Sequence, residues 1–149
     1  MLQFRNVEAE PTDQVTTWPF EALVTAIDRG LVPDWQPIFA EIRRAPWGQV
    51  ARSIERYLEV SDRDGSTVLF QLAIDRAREV AEAAEKGEVA ERVRDAIARS
   101  GLTSAQFANE VGTSASRLST YATGSVTPSA SMLIRIERAG EEEEPCAAE

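Results

Sequence analysis

The stretch GLTSAQFANEVGTSASRLSTYATG, residues 101–124, constrains the fold more than any other part of the chain. Thr103 and Gln106 have the spacing of a capping box: the Thr hydroxyl takes one orphan N–H of a new helix while the Gln side chain reaches back. Leu102 and Phe107 stand where a hydrophobic staple would fix the entry of the chain. Phe107, Ala108 and Val111 then form one inward stripe, and Gly112 permits a left-handed turn that a β-carbon would resist. Ser114 is placed to cap a second short helix. The pattern predicts two brief helices joined by a glycine turn.

The second helix has two unlike faces. Stepping by about 100° per residue from an inward Leu118 places Tyr121 and Ala122 beside it. Ser116, Ser119, Thr120 and Thr123 point away, with Ala115 and Arg117 on the shoulders. Ser and Thr are mediocre helix formers because their hydroxyls compete with the backbone. A whole outer face of them suits approach to base edges and phosphates, where small donor–acceptor groups are useful. Upstream, Val89, Val93, Ala96 and Ile97 predict the inner stripe of a helix ending at Ser100-Gly101. A short helix, a glycine turn and a second helix describe a helix-turn-helix, whose second helix enters the DNA major groove.

At this point the sequence resembles the XRE family of Cro and lambda-repressor type DNA-binding domains. The resemblance runs from residue 88 to about residue 139. Its marks are Gly101-Leu102, Ala108, Gly112-Thr113-Ser114, Leu118, Tyr121, Gly124, Pro128-Ser129 and Leu133. It implies that Ala115, Ser116 and Thr120 occupy positions that touch bases, with Arg117 and Ser119 beside them. It also implies that Ser104, Ser114 and Ser125 fall where phosphates are held, and Thr123 joins them from the hydroxyl face. Members often carry Gln at the positions of Ser104 and Ala115, so Ala115 is left with apolar contact to a thymine methyl. An Arg–Glu pair that often links the family's first and third helices is replaced here by Ile97 and Ala122. The family's fifth helix has no counterpart, since EEEE follows Gly140.

Charge qualifies this reading. The net charge of −9 is unevenly distributed. Residues 1–87 hold ten basic and fifteen acidic side chains, residues 88–140 six arginines and five acids, and residues 141–149 five glutamates. Only the segment with the two short helices is not acidic. The chain has no histidine and one cysteine, Cys146, so it lacks the commonest acid–base group and cannot form an internal disulfide or a thiolate zinc cluster. These absences argue against an enzyme, and no catalytic residue, metal ligand or cofactor is expected.

Before residue 88 the apolar spacing is helical throughout. Phe20, Leu23, Val24 and Ile27 precede a stop at Gly30; Asp34 is a candidate N-cap for Trp35, Ile38, Phe39 and Ile42; and a third helix from about Pro46 to Glu59 carries Trp47, Val50, Ala51, Ile54 and Leu58. Trp18, Trp35 and Trp47 open successive helices and are expected in the core. Ser66 is a candidate cap for a long helix whose inner stripe reads Leu69, Leu72, Ala73, Val80, Ala81 and Ala84. Lys86-Gly87 marks a candidate boundary that breaks, bends or weakens it.

The expected architecture is all-α: an N-terminal helical bundle followed by a lambda-repressor-like helix-turn-helix module. Its parts are a loosely ordered segment 1–17, a bundle 18–87 for dimerisation or partner binding, a DNA-binding module 88–140 and an acidic disordered tail 141–149. No run nears the roughly 18 apolar residues of a membrane span, and the N-terminus lacks the basic and apolar regions of a secretion signal, so a soluble cytoplasmic protein is expected. The expected partner is double-stranded DNA with a palindromic operator, bound by a homodimer whose recognition helices lie about 34 Å apart. The expected role is a sequence-specific transcriptional repressor. The alternative is an antitoxin that neutralises a cognate toxin through its acidic bundle and represses its own operon.

Overall fold

The computed structural model describes residues 1–141. The acidic tail and Cys146 singled out above fall almost wholly outside the described residues. Seven α-helices follow in order: α1 Phe20–Arg29, α2 Val32–Arg44, α3 Gln49–Val60, α4 Gly65–Ser100, α5 Ser104–Val111, α6 Ala115–Thr123 and α7 Ala130–Glu141. A 3-10 turn, Val15–Thr17, precedes α1. The chain divides into two compact units, one ending at Ala81 and the other beginning at Glu82. The all-α expectation of a helical bundle followed by a helix-turn-helix module holds.

In the first unit, Ala22, Leu23, Ala26 and Ile27 of α1, Ile38 and Ile42 of α2, and Val50, Ala51 and Ile54 of α3 meet in one buried core. Residues 1–17, expected to be loosely ordered, contribute Leu2 and Val15 to it, and Phe4 packs edge-on against Trp18 with ring centroids 5.0 Å apart. Asp34 is not the N-cap of α2. The helix starts three residues earlier, at Val32 behind Leu31, and the Asp34 carboxylate reaches back to accept from the Leu31 N–H at 2.8 Å. Such a bond satisfies one of the four orphan donors of a helix start. Trp18 is buried and Trp35 half-buried, but Trp47 lies just before α3 and is 45% exposed, so it is not a core residue.

The inner stripe of α4 differs from the expected one. Phe70, Ile74 and Ala77 are buried, while Leu69, Leu72 and Val80 are exposed; Ala84 is exposed as well. Both sets fall at helical spacing, so periodicity leaves the phase open. Aromatic packing decides it: Phe70 stacks on Phe39 at 4.8 Å and takes Trp35 edge-on at 5.4 Å. Arg78 holds α4 to the preceding elements by a two-pronged ion pair with Glu55 and by donating to the Pro46 carbonyl oxygen at 3.0 Å. The cap at its start is Asp64 rather than Ser66, because the Asp64 carboxylate accepts from the Thr67 N–H at 2.9 Å and from the Ser66 hydroxyl at 2.7 Å. α4 is continuous through Lys86 and Gly87. A single glycine weakens a helix by only about 1 kcal/mol, too little to end this one.

The second unit has its own core, built from Val93, Ala96, Phe107, Ala108, Val111, Leu118, Tyr121 and Ile136. Gly140 belongs to it and does not end α7. The residue is buried, and a β-carbon there would lie 2.8–2.9 Å from the backbone and side chain of Ala96. The glycine is the condition for α7 to approach α4 this closely.

Candidate nucleic-acid interface

The helix-turn-helix is assembled as its residues require. The Gln106 N–H donates to the Thr103 hydroxyl at 3.2 Å and the Thr103 N–H to the Gln106 side-chain oxygen at 3.0 Å, which completes the capping box of α5. Gly112 ends α5 at φ 76°, in the left-handed region. The Gly112 N–H and the Thr113 N–H return to the Asn109 and Ala108 carbonyls at 3.2 and 2.9 Å, which satisfies acceptors that a helix end leaves orphaned. The Ser114 hydroxyl accepts from the Arg117 N–H at 3.2 Å and opens α6. A cap of this kind stabilises a helix by about 1 kcal/mol.

Burial fixes how α6 is turned. Leu118 and Tyr121 are buried at 1% and 7% exposure, and Ala122 is half-buried. Fully burying a side chain such as Leu118 stabilises the fold by about 1.5–3 kcal/mol, enough to hold the helix in one rotational setting. Ala115, Ser116, Arg117, Ser119 and Thr123 are consequently exposed, and Thr120 is half-buried. Ser104 is exposed at the first position of α5, Ser114 at the cap of α6 and Ser125 just past its end. The hydroxyls are not idle. Thr120 donates to the Arg117 carbonyl at 2.6 Å, Ser114 and Ser116 share a bond of 3.3 Å, and Thr123 and Ser125 one of 3.2 Å. Serine and threonine that bond locally keep helical structure at a cost to propensity.

The arginines of the second unit divide into two groups, a division that spacing does not reveal. Arg92 pairs with Glu88 at 2.6 Å and with Glu137 at 3.6 Å. Arg94 donates to the Ala122 carbonyl oxygen at 2.6 Å. This bond ties α4 to α6 where Ile97 and Ala122 leave no ion pair. Arg135 donates to the Val111 carbonyl oxygen at 3.1 Å. Arg99, Arg117 and Arg138 make no ion pair or side-chain hydrogen bond among the described residues, and Arg117 is the one of them on α6. Few cations are therefore free for phosphates. The free N–H groups and positive dipole end at the start of α6 add a further attraction for anions there.

Among the described residues no cluster of three or more metal-ligating side chains occurs, and no helix is long and apolar enough to cross a membrane. Comparison with curated proteins and with solved structures yields no match. Residues 93–141, from the end of α4 through α7, match the family described as Helix-turn-helix; a helix-turn-helix domain of the XRE and Cro type is recognised in this part of the chain, and it supports a DNA-binding regulatory role.

Proposed function

We propose that the protein is a sequence-specific transcriptional repressor that binds a palindromic operator as a homodimer. The observation that carries this reading is the outer face of α6: a helix locked by Leu118 and Tyr121 presents Ala115, Ser116, Arg117, Ser119 and Thr120 toward the groove. Ser104, Ser114, Thr123 and Ser125 flank it as phosphate contacts. Serine and threonine accept from or donate to either kind of base edge, and the Ala115 methyl suits a thymine methyl. With three arginines unpaired among the described residues of the unit, one module neutralises few phosphates, and sequence-independent affinity scales with that number. Two linked modules recover affinity because the second half-site is bound from a high local concentration.

The first unit offers a face for such pairing. Leu69, Leu72 and Val80 lie along one line of α4 at 41%, 59% and 52% exposure. Within that line Arg76 faces Glu79 at 3.4 Å, both exposed. A two-fold contact would set the same row against itself, burying the apolar side chains of both copies. The test is selection of bound sequences from a random duplex pool by the full chain, followed by sedimentation. The expected result is a palindrome with half-sites about one turn apart and a dimer in solution. A pool that stays random would sink the repressor reading. A monomer that co-purifies with the product of an adjacent gene would favour an antitoxin instead.

A further inference from the structure

The first unit contains an open cavity of about 380 Å³ whose walls have opposite chemistry. One wall is apolar: Trp18, Pro19, Phe20 and Leu23, where the chain passes from the 3-10 turn into α1. The other is a polar stripe of α3, Gln49, Arg52, Ser53 and Arg56, at i, i+3, i+4 and i+7. Burial of Ala51 and Ile54 on the far side of α3 fixes this stripe toward the cavity, and Val50 adds an apolar contact at its floor. Trp18 is itself held, with its indole N–H donating to the Asp13 carbonyl oxygen at 3.2 Å.

Two cations one helical turn apart repel each other, and elsewhere in the unit arginines in such positions have found carboxylates. Arg44 forks onto Glu41, and Arg78 onto Glu55. Arg52 and Arg56 make no ion pair or side-chain hydrogen bond among the described residues, although acids outnumber bases in residues 1–87. The hydroxyl of Ser53 and the amide of Gln49 are equally without partners. α1 and α3 also both begin at this cavity, behind Pro19 and Gly48, which supply no capping side chain. Their free N–H groups add to the positive field. The volume lies within the range of small-molecule sites, in which an apolar wall and a few convergent polar groups are typical.

We propose that this cavity binds a small organic oxyanion, a phosphate or a carboxylate on a planar apolar body, with Arg52 and Arg56 gripping the anion and Phe20 and Leu23 covering the body. The cavity belongs to the first unit and α6 to the second, so the proposal adds a small-molecule ligand to the repressor reading without depending on it.

The test is calorimetric titration of the full chain with phenyl phosphate, benzoate and inorganic phosphate. Saturable one-to-one binding of phenyl phosphate or benzoate is expected, whichever the anion source, and weaker binding of inorganic phosphate, which lacks the body. Arg52→Gln with Arg56→Gln should weaken binding by about tenfold or more, as loss of charge-assisted bonds does. Arg29→Gln with Arg63→Gln removes the same charge away from the cavity and should leave it unchanged. Ser53→Phe fills the space and should abolish binding while the melting temperature is kept. No saturable binding of either aromatic probe, equal binding of inorganic phosphate, or equal loss in the control pair would overturn the proposal. So would an equal loss of DNA affinity in Arg52→Gln/Arg56→Gln, which would make the pair a DNA-backbone contact.

Discussion

The Arg135 guanidinium donates to the carbonyl oxygen of Val111 at 3.1 Å, so a side chain of α7 closes the C-terminal end of α5 beside the Gly112 turn. Two orphan features of the helix end, an unsatisfied acceptor and the negative end of the dipole, are met by one cation. Arg135→Ala should destabilise the second unit by about 1–2 kcal/mol, read as a lowered thermal midpoint. The salt dependence of DNA binding should change less than for a cation on α6, because this guanidinium is held at the end of α5; a drop in salt slope without loss of stability would show that Arg135 serves the phosphates instead.

Arg117 is expected to behave in the opposite way. It is exposed on α6 and unpaired among the described residues, so Arg117→Ala should leave the melting temperature nearly unchanged. Its effect should be weaker DNA binding, with the slope of log affinity against log salt reduced by about 0.9. Unaltered affinity and slope would remove this residue from the interface.

Gly112 holds φ at 76°. A β-branched side chain is strongly disfavoured there, and Gly112→Val should cost about 1–2 kcal/mol or more. Gly112→Asn, whose side chain tolerates the left-handed region, should cost much less. Equal melting of the two variants would mean that the turn is not strained in this way.

Gly140→Ala has two opposing terms. Helix propensity favours alanine by about 1 kcal/mol, but the added methyl would meet Ala96 at 2.8–2.9 Å, including backbone atoms that cannot step aside. Overpacking of this kind costs about 1–3 kcal/mol, so net destabilisation is expected in chemical denaturation. A stabilised variant would mean that α7 can move away from α4 freely.

Leu72→Glu with Val80→Glu adds charge to the exposed row of α4 without touching its buried face. Sedimentation of the full chain should shift from dimer to monomer, and operator affinity should fall roughly a hundredfold or more as bivalent binding is lost. A dimer that survives both substitutions would place the contact elsewhere.

Local chemistry made the second unit legible from sequence. A capping box, a left-handed glycine and a serine cap each act over four residues or fewer, so Thr103, Gln106, Gly112 and Ser114 announce their structure without reference to the rest of the chain. The same signals set the rotational phase of α6, because Leu118 and Tyr121 leave one apolar side. Long-range packing decided the remainder. On α4 two apolar rows compete, and only Trp35 and Phe39, more than thirty residues away, select Phe70 over Leu69 for burial. Nothing local marks Gly140 as a contact point, because Ala96, which lies against it, is more than forty residues away. The six arginines of residues 88–140 look equivalent as charges. Carbonyls and carboxylates brought near by folding separate Arg92, Arg94 and Arg135, which hold the fold, from Arg117, which has no partner among the described residues and lies on the outer face of α6.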